Sequence, residues 1–318
     1  KMISQETKDA IKYYSLSGNK KSNNVSDKIS FSNSLGESLY SLADKYDFEC
    51  ITAAMGIGTG LKKYANKYSD RYIDVGIAEE HAVTYAAGLS AANKMPVVAI
   101  YSTFMQRAYD SIIHDIALQN LPAILCMDRA GLVGNDGPTH HGVFDIGFML
   151  SIPNVVVTAP KDGNELFDIL SLALSNKLTL SIRYPKLNTN FNKHRIADKI
   201  KLGTWEILKQ GKGICILTFG SMIENSLNAA KYCEKNNDTN ITVVNCRFIK
   251  PFDEKLLKDL CNSHHYFITI EEGIISGGFG IRILNYFNSN QIDKKVKILG
   301  IDDQFTTHGN RNKLLKLC

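Results

Sequence analysis

"PVVAIYSTFMQRAYDSIIHDIALQNLPAILCMD", residues 96 to 128, sets two near-continuous apolar runs on either side of a helical stretch. A strand that is apolar on both faces belongs in a sheet covered on both sides, and strands that alternate with helices pair in parallel. Residues 105 to 120 then form the crossover helix. Outward from this unit the alternation continues. "CITAAM", "RYIDV", "NVVVTAP" and "LTLSIRYP" read as strands, with helices at "GLKKYANKY", from Ala78 to Lys94 and over 163 to 176. "PKLNTNFNKHRIADK", residues 185 to 199, is polar, contains a proline and has no period, which marks a domain linker. A second alternation follows: "GICILTFG", a helix near 222 to 236, "ITVVNCRF", a helix from Asp253, "HHYFITI", a helix near 279 to 289, and "VKILGI". The fold class is thus α/β, with two parallel-sheet domains at residues 31–185 and 200–318. A polar, Gly/Ser/Asn-rich arm over residues 1–30 precedes them.

Composition narrows the function. The chain has 318 residues, 44% apolar and 22% charged, long enough for two cores rather than one. Its net charge of +5 is mild and is not gathered into a basic stripe, so a nucleic-acid partner is not expected while a small anionic substrate is compatible. No stretch approaches the roughly 18 apolar residues of a membrane-crossing helix, and no membrane partner is expected. Seven cysteines lack any C-x-x-C pair, and Cys126, Cys215 and Cys246 fall inside apolar runs, which points to a reducing compartment and no metal site. The opening Lys1 and the closing "RNKLLKLC", which reads as an unfinished helix, suggest that both ends are cut from something longer.

Several residues are placed to do chemistry. In "DVGIAEEHAV", residues 74 to 83, Glu79 falls where a parallel strand hands over to a helix of small and apolar residues, and ligands bind at that edge of open α/β sheets. Glu79 and Glu80 could simply complement the helix dipole, worth under about 1 kcal/mol. A carboxylate buried there would instead be suited to sharing a proton with a ligand nitrogen. Farther on, Arg107, Asp110, His114 and Asp115 crowd two turns of one helix, with Asp110 and His114 spaced to hydrogen-bond. The loop "MDRAGLVGNDGPTHHG", residues 127 to 142, brings Arg129, Asp136, His140 and His141 to a strand edge, and Arg183 ends another strand. Arginines on successive strand-edge loops suit a phosphate or carboxylate dianion. Zinc at His140 and His141 lacks further ligands at suitable spacing. "GIGTGL" and "GGFG" lack the glycine spacing of a dinucleotide site and read as tight strand-to-helix turns.

"ITAAMGIGTGL", "DVGIAEEHAVTYAAGLSAA", the segment opening at Pro96, "DRAGLVGNDGPTHHGVFDI", "SIRYPK" and "TIEEGIISGGFG" together resemble the 1-deoxy-D-xylulose-5-phosphate synthase family of the transketolase superfamily. The resemblance runs from about residue 31 to 310 and implies a pyrimidine-binding domain followed by the transketolase C-terminal domain. It implies thiamine diphosphate as cofactor. Glu79 would hydrogen-bond N1′ of the aminopyrimidine and promote the tautomer that deprotonates the thiazolium carbon, and Phe104 would stack on the ring, with Arg107 beside them. Tyr101, Arg129 and Arg183 would hold the phosphate of glyceraldehyde 3-phosphate. Asp136 and His140 would line the pocket near the reacting carbons, and His114 would contribute from its helix. The implied reaction is decarboxylative condensation of pyruvate with glyceraldehyde 3-phosphate, giving 1-deoxy-D-xylulose 5-phosphate and CO2. That product is a precursor of isoprenoids, thiamine and pyridoxal phosphate.

One departure stands beside the matches. The family's N-terminal domain carries a G-D-G…N motif whose Asp and Asn bind Mg2+ and anchor the diphosphate, and no such motif occurs here; "GNDG" at 134 to 137 belongs to another motif. A hard-oxygen site is needed to hold Mg2+ and a pyrophosphate together. The chain alone is therefore expected to be inactive, with the Mg2+ ligands on a missing N-terminal domain and a homodimer as the implied assembly. The resemblance and the Asn-, Lys- and Ile-rich linkers imply a plastid-like organelle, the cytoplasm being the alternative. Two rivals remain: the β subunit of a 2-oxo acid dehydrogenase E1 component, whose pattern lacks the "QRAYD..HD" and "DRAG" segments, and a non-catalytic binding module, against which the retained pocket residues argue.

Overall fold

The computed structural model describes residues 28–318. Most of the arm read over residues 1–30 lies outside the described residues, and its last three, Lys28–Ser30, form strand β1. The first sheet contains β2 (Glu49–Thr52), β3 (Tyr72–Asp74), β4 (Pro96–Tyr101), β5 (Ile124–Asp128), β6 (Val156–Thr158) and β7 (Leu180–Arg183), all parallel. Its strand order, β6-β7-β5-β4-β2-β3, puts the strands of the opening quotation at the centre. Side chains alternate across β4. Val97 and Ala99 pack with helices α1 (Phe31–Leu42) and α3 (Gly163–Asn176), while Val98 and Ile100 pack with helix α2 (Glu79–Ala91). Each buried Leu or Ile of these layers contributes about 2 kcal/mol, which is why the strands read as continuously apolar. Helix α3 starts because Asp162 accepts from the Glu165 amide (2.8 Å) and stops where Lys177 turns left-handed.

In the second sheet strands β10 (Gly213–Thr218), β11 (Thr242–Asn245), β13 (His264–Ile274) and β14 (Lys295–Ile301) are parallel, and β9 (Glu206–Lys209) runs antiparallel at the edge. Their order is β14-β13-β10-β11-β9. Helices α4 (Ile223–Asn237), α5 (Glu254–Cys261) and α6 (Phe279–Ser289) complete this half. The "GGFG" turn indeed carries β13 into α6. Its helix N-terminus is already filled by the chain's own carboxylate, since Glu271 accepts from the amides of Phe279 (3.0 Å) and Gly280 (2.9 Å). Gly278 has no room for a side chain, because a Cβ there would lie 2.5 Å from Glu271 Oε2.

Each half has an apolar cluster of its own, and a further one joins them, running from Ile146, Met149, Ile152 and Val157 in the first half through Trp205, Phe219, Phe279 and Phe287 in the second. Large aromatics on the second half need a partner face, and the first half supplies it. Two readings are corrected. "ITVVNCRF" is not one strand. After β11 the chain leaves the second sheet, and Phe248–Lys250, strand β12, pairs antiparallel with β6 at the edge of the first. The linker read over 185–199 likewise contains a strand, β8 (Asn188–Asn190), which pairs antiparallel with β1. Both strands are three residues long, too short for a period to show. Cys126, Cys215 and Cys246 are fully buried and free, as their apolar settings imply. Among the described residues no helix is long and apolar enough to cross a membrane.

Candidate active site

The carboxyl ends of β2 to β5 carry the site. At the end of β3, Asp74 accepts from the amides of Ala54 (2.8 Å) and Gly76 (3.0 Å), tying the turn after β2 to the turn that opens α2. Ala54 and Gly76 both have positive φ, at 58° and 73°, which is strained only for the alanine, and the acid ties down both turns at once. Glu79 then begins α2, and only 2% of it is exposed. Arg107 Nη1 donates to Glu79 Oε1 at 2.8 Å. The buried carboxylate is thus paired with a guanidinium. Glu80 and His81 point outward, and α2 as a whole buries one face (Ala82, Val83, Ala86, Ala87) while leaving Glu80, His81, Thr84 and Tyr85 exposed. The dipole reading is compatible with the exposed Glu80 and does not account for the burial of Glu79.

The segment read as a helix over 105 to 120 begins earlier and is broken. Successive α, 3-10, α and π turns run from Ser102 to Ala117, ending in the π turn Ile112–Ala117. π turns inside helices concentrate at functional sites. The break lets Phe104 and Arg107 face the same place: the guanidinium carbon of Arg107 lies 5.0 Å from the Phe104 ring centre, in a cation–π contact. Phe104 also stacks against Tyr101 (5.9 Å) and meets the edge of His140 (5.3 Å). Glu79, Arg107, Phe104, Tyr101 and His140 are thus one connected group.

Tyr101 passes the connection to the loop after β5. The guanidinium of Arg129 lies 3.9 Å above its ring, and Arg129 Nη1 donates to Asp136 Oδ2 at 2.9 Å. Arg129 has a left-handed φ of 60°, an uncommon conformation for a non-glycine residue, which aims its side chain back over Tyr101. Lys186 Nζ donates to the same Asp136 oxygen at 2.6 Å. Burial would raise the Asp136 carboxyl, but Lys186 and Arg129 outweigh it and hold it below its ordinary range. Burial lowers His140, with Asp136 opposing, so the imidazole is neutral near pH 7. Burial also raises the phenol of Tyr101, which keeps its proton. The hydroxyl sits under the "GIGTGL" turn, where a Cβ on Gly58 would come within 1.8 Å of it. That contact, rather than a phosphate, accounts for the glycine.

Two predicted residues stand apart from this group. Arg183 is buried, its Nε donating to Asp145 Oδ2 (2.8 Å) and its Nη2 to the backbone oxygens of Glu272 (3.0 Å) and Gly142 (3.5 Å). It lies beneath the loop that carries Arg129. His114 pairs with Asp110 (3.0 Å) as its spacing indicates, on the surface with 60% of the side chain exposed. His141, left open by the sequence, is structural: Nδ1 accepts from the Val133 amide (3.1 Å), so Nε2 carries the proton and donates to the Thr307 oxygen (3.1 Å). Sequence reasoning missed Lys186 and Asp74. A lysine directly after the strand-edge "RYP" and an aspartate two residues before a glycine were the available signals.

A buried carboxylate and an aromatic face thus stand beside two cations, Arg129 on the loop after β5 and Lys186 after β7, at a parallel-sheet edge, an arrangement able to hold a nitrogen heterocycle next to an anion. Transketolase's pyrimidine-binding domain model matches residues 27–192, and its C-terminal domain model matches residues 203–318. The chain belongs to the transketolase family. Among similar proteins is the 1-deoxy-D-xylulose-5-phosphate synthase of Aquifex aeolicus (strain VF5), 46% identical over 283 residues, which are 89% of this chain and 45% of that protein. The synthase of the same name from Carboxydothermus hydrogenoformans is 43% identical over 291 residues, 91% of this chain and 47% of that one. The chain thus spans about half the length of the curated relatives it matches. A solved split-gene transketolase, described as an inactive beta4 tetramer, superposes with a TM-score of 0.77 at 26% identity, covering 87% of this chain and 90% of that one. Transketolase from Campylobacter jejuni gives 0.74 at 19% identity, covering 91% and 44%, a likeness of fold.

Proposed function

We propose that this chain is the pyrimidine-binding and C-terminal part of a 1-deoxy-D-xylulose-5-phosphate synthase, condensing pyruvate with glyceraldehyde 3-phosphate and releasing CO2. The observation that carries the reading is the continuity of the two sub-sites through Phe104. Glu79 and Arg107 lie on one side of it, and Tyr101, Arg129, Asp136 and His140 on the other. The synthase relatives support the choice of reaction within the superfamily.

The residues present fit the pyrimidine end of thiamine diphosphate. Arg107 holds Oε1 of Glu79, which leaves Oε2 to exchange a proton with a ring nitrogen, and Phe104 offers a flat apolar face. When bound, the cofactor supplies a carbanion equivalent that lets a 2-oxo acid lose CO2 and attack an aldehyde. The diphosphate end is a different matter. We assign Mg2+ and the diphosphate to a further domain, since holding the two together takes a hard-oxygen site. In the proposed assembly, a homodimer, that domain covers the exposed face of α2 and the neighbouring Ile77, which is 82% exposed.

For the second substrate, Arg129 and Lys186 supply two cations at the loop, matched to a phosphate dianion. Asp136 links them in the free protein and would release part of its hold to the phosphate. Neutral His140, against the edge of Phe104, can donate a hydrogen bond to an aldehyde oxygen as it becomes an alkoxide. Arg183 positions this loop from below through Gly142 and Asp145. The test is a product assay with pyruvate, glyceraldehyde 3-phosphate, thiamine diphosphate and Mg2+, on the chain alone and with the N-terminal half added. Deoxyxylulose phosphate in the reconstituted sample alone upholds the reading. Acyl transfer to a lipoyl acceptor with an E1 α subunit, and no sugar phosphate, would refute it.

A further inference from the structure

We infer that Glu272 and Arg311 of the C-terminal half form a positioning clamp that fixes the loop bearing Arg129, Asp136 and His140, and thereby sets acceptor-substrate affinity. The inference rests on the proposed function for the identity of the acceptor, but its geometry stands independently.

Left to itself the loop is an unfavourable structure. Arg129, Gly131, Gly134 and Gly137 all have positive φ, and a segment with so many left-handed positions loses much conformational entropy when it is ordered. Its neck is closed by reciprocal backbone hydrogen bonds between Gly131 and Gly142, at 2.7 and 2.9 Å. What holds the rest comes from across the domain boundary. Glu272, on β13, is 2% exposed, and its Oε1 accepts from the Leu132 amide at 2.8 Å. Arg311 grips the same carboxylate in a two-pronged pair, Nε donating to Oε1 at 3.0 Å and Nη2 to Oε2, and the Ser221 hydroxyl completes the set on Oε2. Gly131 is glycine because a Cβ would lie 2.7 Å from the Glu272 carboxyl carbon.

The neighbours reinforce the clamp. Leu132 and Val143, near the two ends of the loop, pack with Ile301 and Leu314, and Leu314 is on the short helix that begins at Arg311. The Gly309 amide donates to the Gly134 oxygen (3.3 Å), and His141 reaches the Thr307 oxygen. The loop's base is therefore anchored at residues 132, 134 and 141, while Asp136 and His140 stand between the anchors. A buried carboxylate with a bidentate arginine is rigid, and removing one partner leaves the other charge uncompensated. Such a clamp acts first on binding at the loop: neither Glu272 nor Arg311 contacts Glu79 or Phe104, and only His140 and Arg129, through Tyr101, pass the loop's position on to the Phe104 ring.

The test uses the assembled enzyme, this chain with its thiamine-diphosphate-binding domain, and the variants Arg311→Met, Arg311→Lys and Glu272→Gln. Three quantities are read: KM for glyceraldehyde 3-phosphate, the rate of CO2 release from pyruvate with an artificial electron acceptor, and hydrogen exchange of amides 130–142. Arg311→Met should raise the acceptor KM roughly tenfold, the size expected for one lost charge-assisted anchor, with CO2 release within about twofold and faster loop exchange. Arg311→Lys should recover part of the affinity. Glu272→Gln should shift KM less than Arg311→Met, since its amide oxygen can still accept from Leu132. An unchanged acceptor KM in a folded Arg311→Met protein, or equal loss in both half-reactions, overturns the clamp. If the unsubstituted protein made no deoxyxylulose phosphate, the proposed function would fall, and the exchange result alone would decide the clamp.

Discussion

Glu79 and Arg107 are 28 residues apart in the chain and 2.8 Å apart in space, one end of the pair buried and the other half exposed. The pairing makes the buried carboxylate tolerable, because an ion held inside a protein without a partner is costly. Arg107→Met keeps the aliphatic stem and removes the charge. We expect a loss of roughly 1–3 kcal/mol, below the range for a fully buried pair because the arginine is half solvated. Urea unfolding would measure it, and an unshifted midpoint would mean that Glu79 is held by something other than Arg107.

Arg129 and Lys186 converge on Asp136 at 2.9 and 2.6 Å. If they hold the acceptor phosphate, Arg129→Ala or Lys186→Ala should weaken use of the phosphorylated acceptor by about tenfold or more while pyruvate activation is largely kept. Steady-state kinetics with each substrate varied separately distinguishes the two. Equal damage to both half-reactions would make these residues structural.

Gly58 and Tyr101 offer a steric test. An alanine at 58 would place Cβ 1.8 Å from the tyrosine oxygen and 2.9 Å from the ring carbon that carries it. Overpacking of this kind costs about 1–3 kcal/mol. Gly58→Ala should lower the melting temperature, and adding Tyr101→Phe, which deletes the worst contact, should recover part of the loss. No recovery in the double variant would show that the glycine is required by its turn rather than by Tyr101.

Burial pushes the carboxyl of Asp128 up to about 7, with Ser32 and Arg129 opposing, and burial likewise pushes Glu271 to about 7 against its two amide hydrogen bonds. Unfolded, each titrates near about 4, so the folded chain holds more protons between roughly pH 4 and 7 and stability falls as pH rises through that window. Asp128→Asn removes one of the two contributions. Its melting temperature should gain on the parent between pH 5 and pH 8, whereas parallel curves would show that Asp128 titrates alike in both states.

Long, strongly patterned elements were legible in the sequence. Helix α6 spans the residues read for it, and the strands β4, β5 and β10 announce themselves by unbroken apolar runs that only a sheet covered on both faces requires. The connections between the halves were not. β12 is three residues long and leaves the sheet its sequence neighbours join, a choice made by tertiary packing against β6. Within the site, Glu79 and the Arg129–Asp136 loop were visible as charge placed where a strand ends. Lys186 was hidden because one lysine after a strand resembles any solvated surface residue. His141 looked as reactive as His140, and only the positions of Val133 and Thr307 make it a strut.

The central claim is that the buried carboxylate of Glu79 is the proton relay on which the reaction turns. The most direct measurement is single-turnover release of CO2 from labelled pyruvate by the assembled enzyme and its Glu79→Gln variant, with cofactor binding followed in parallel. The account predicts a fall in rate of at least about a hundredfold, the range of a lost general acid–base group, with only a modest loss of cofactor affinity. A near-normal rate in a folded, cofactor-bound Glu79→Gln protein would contradict it.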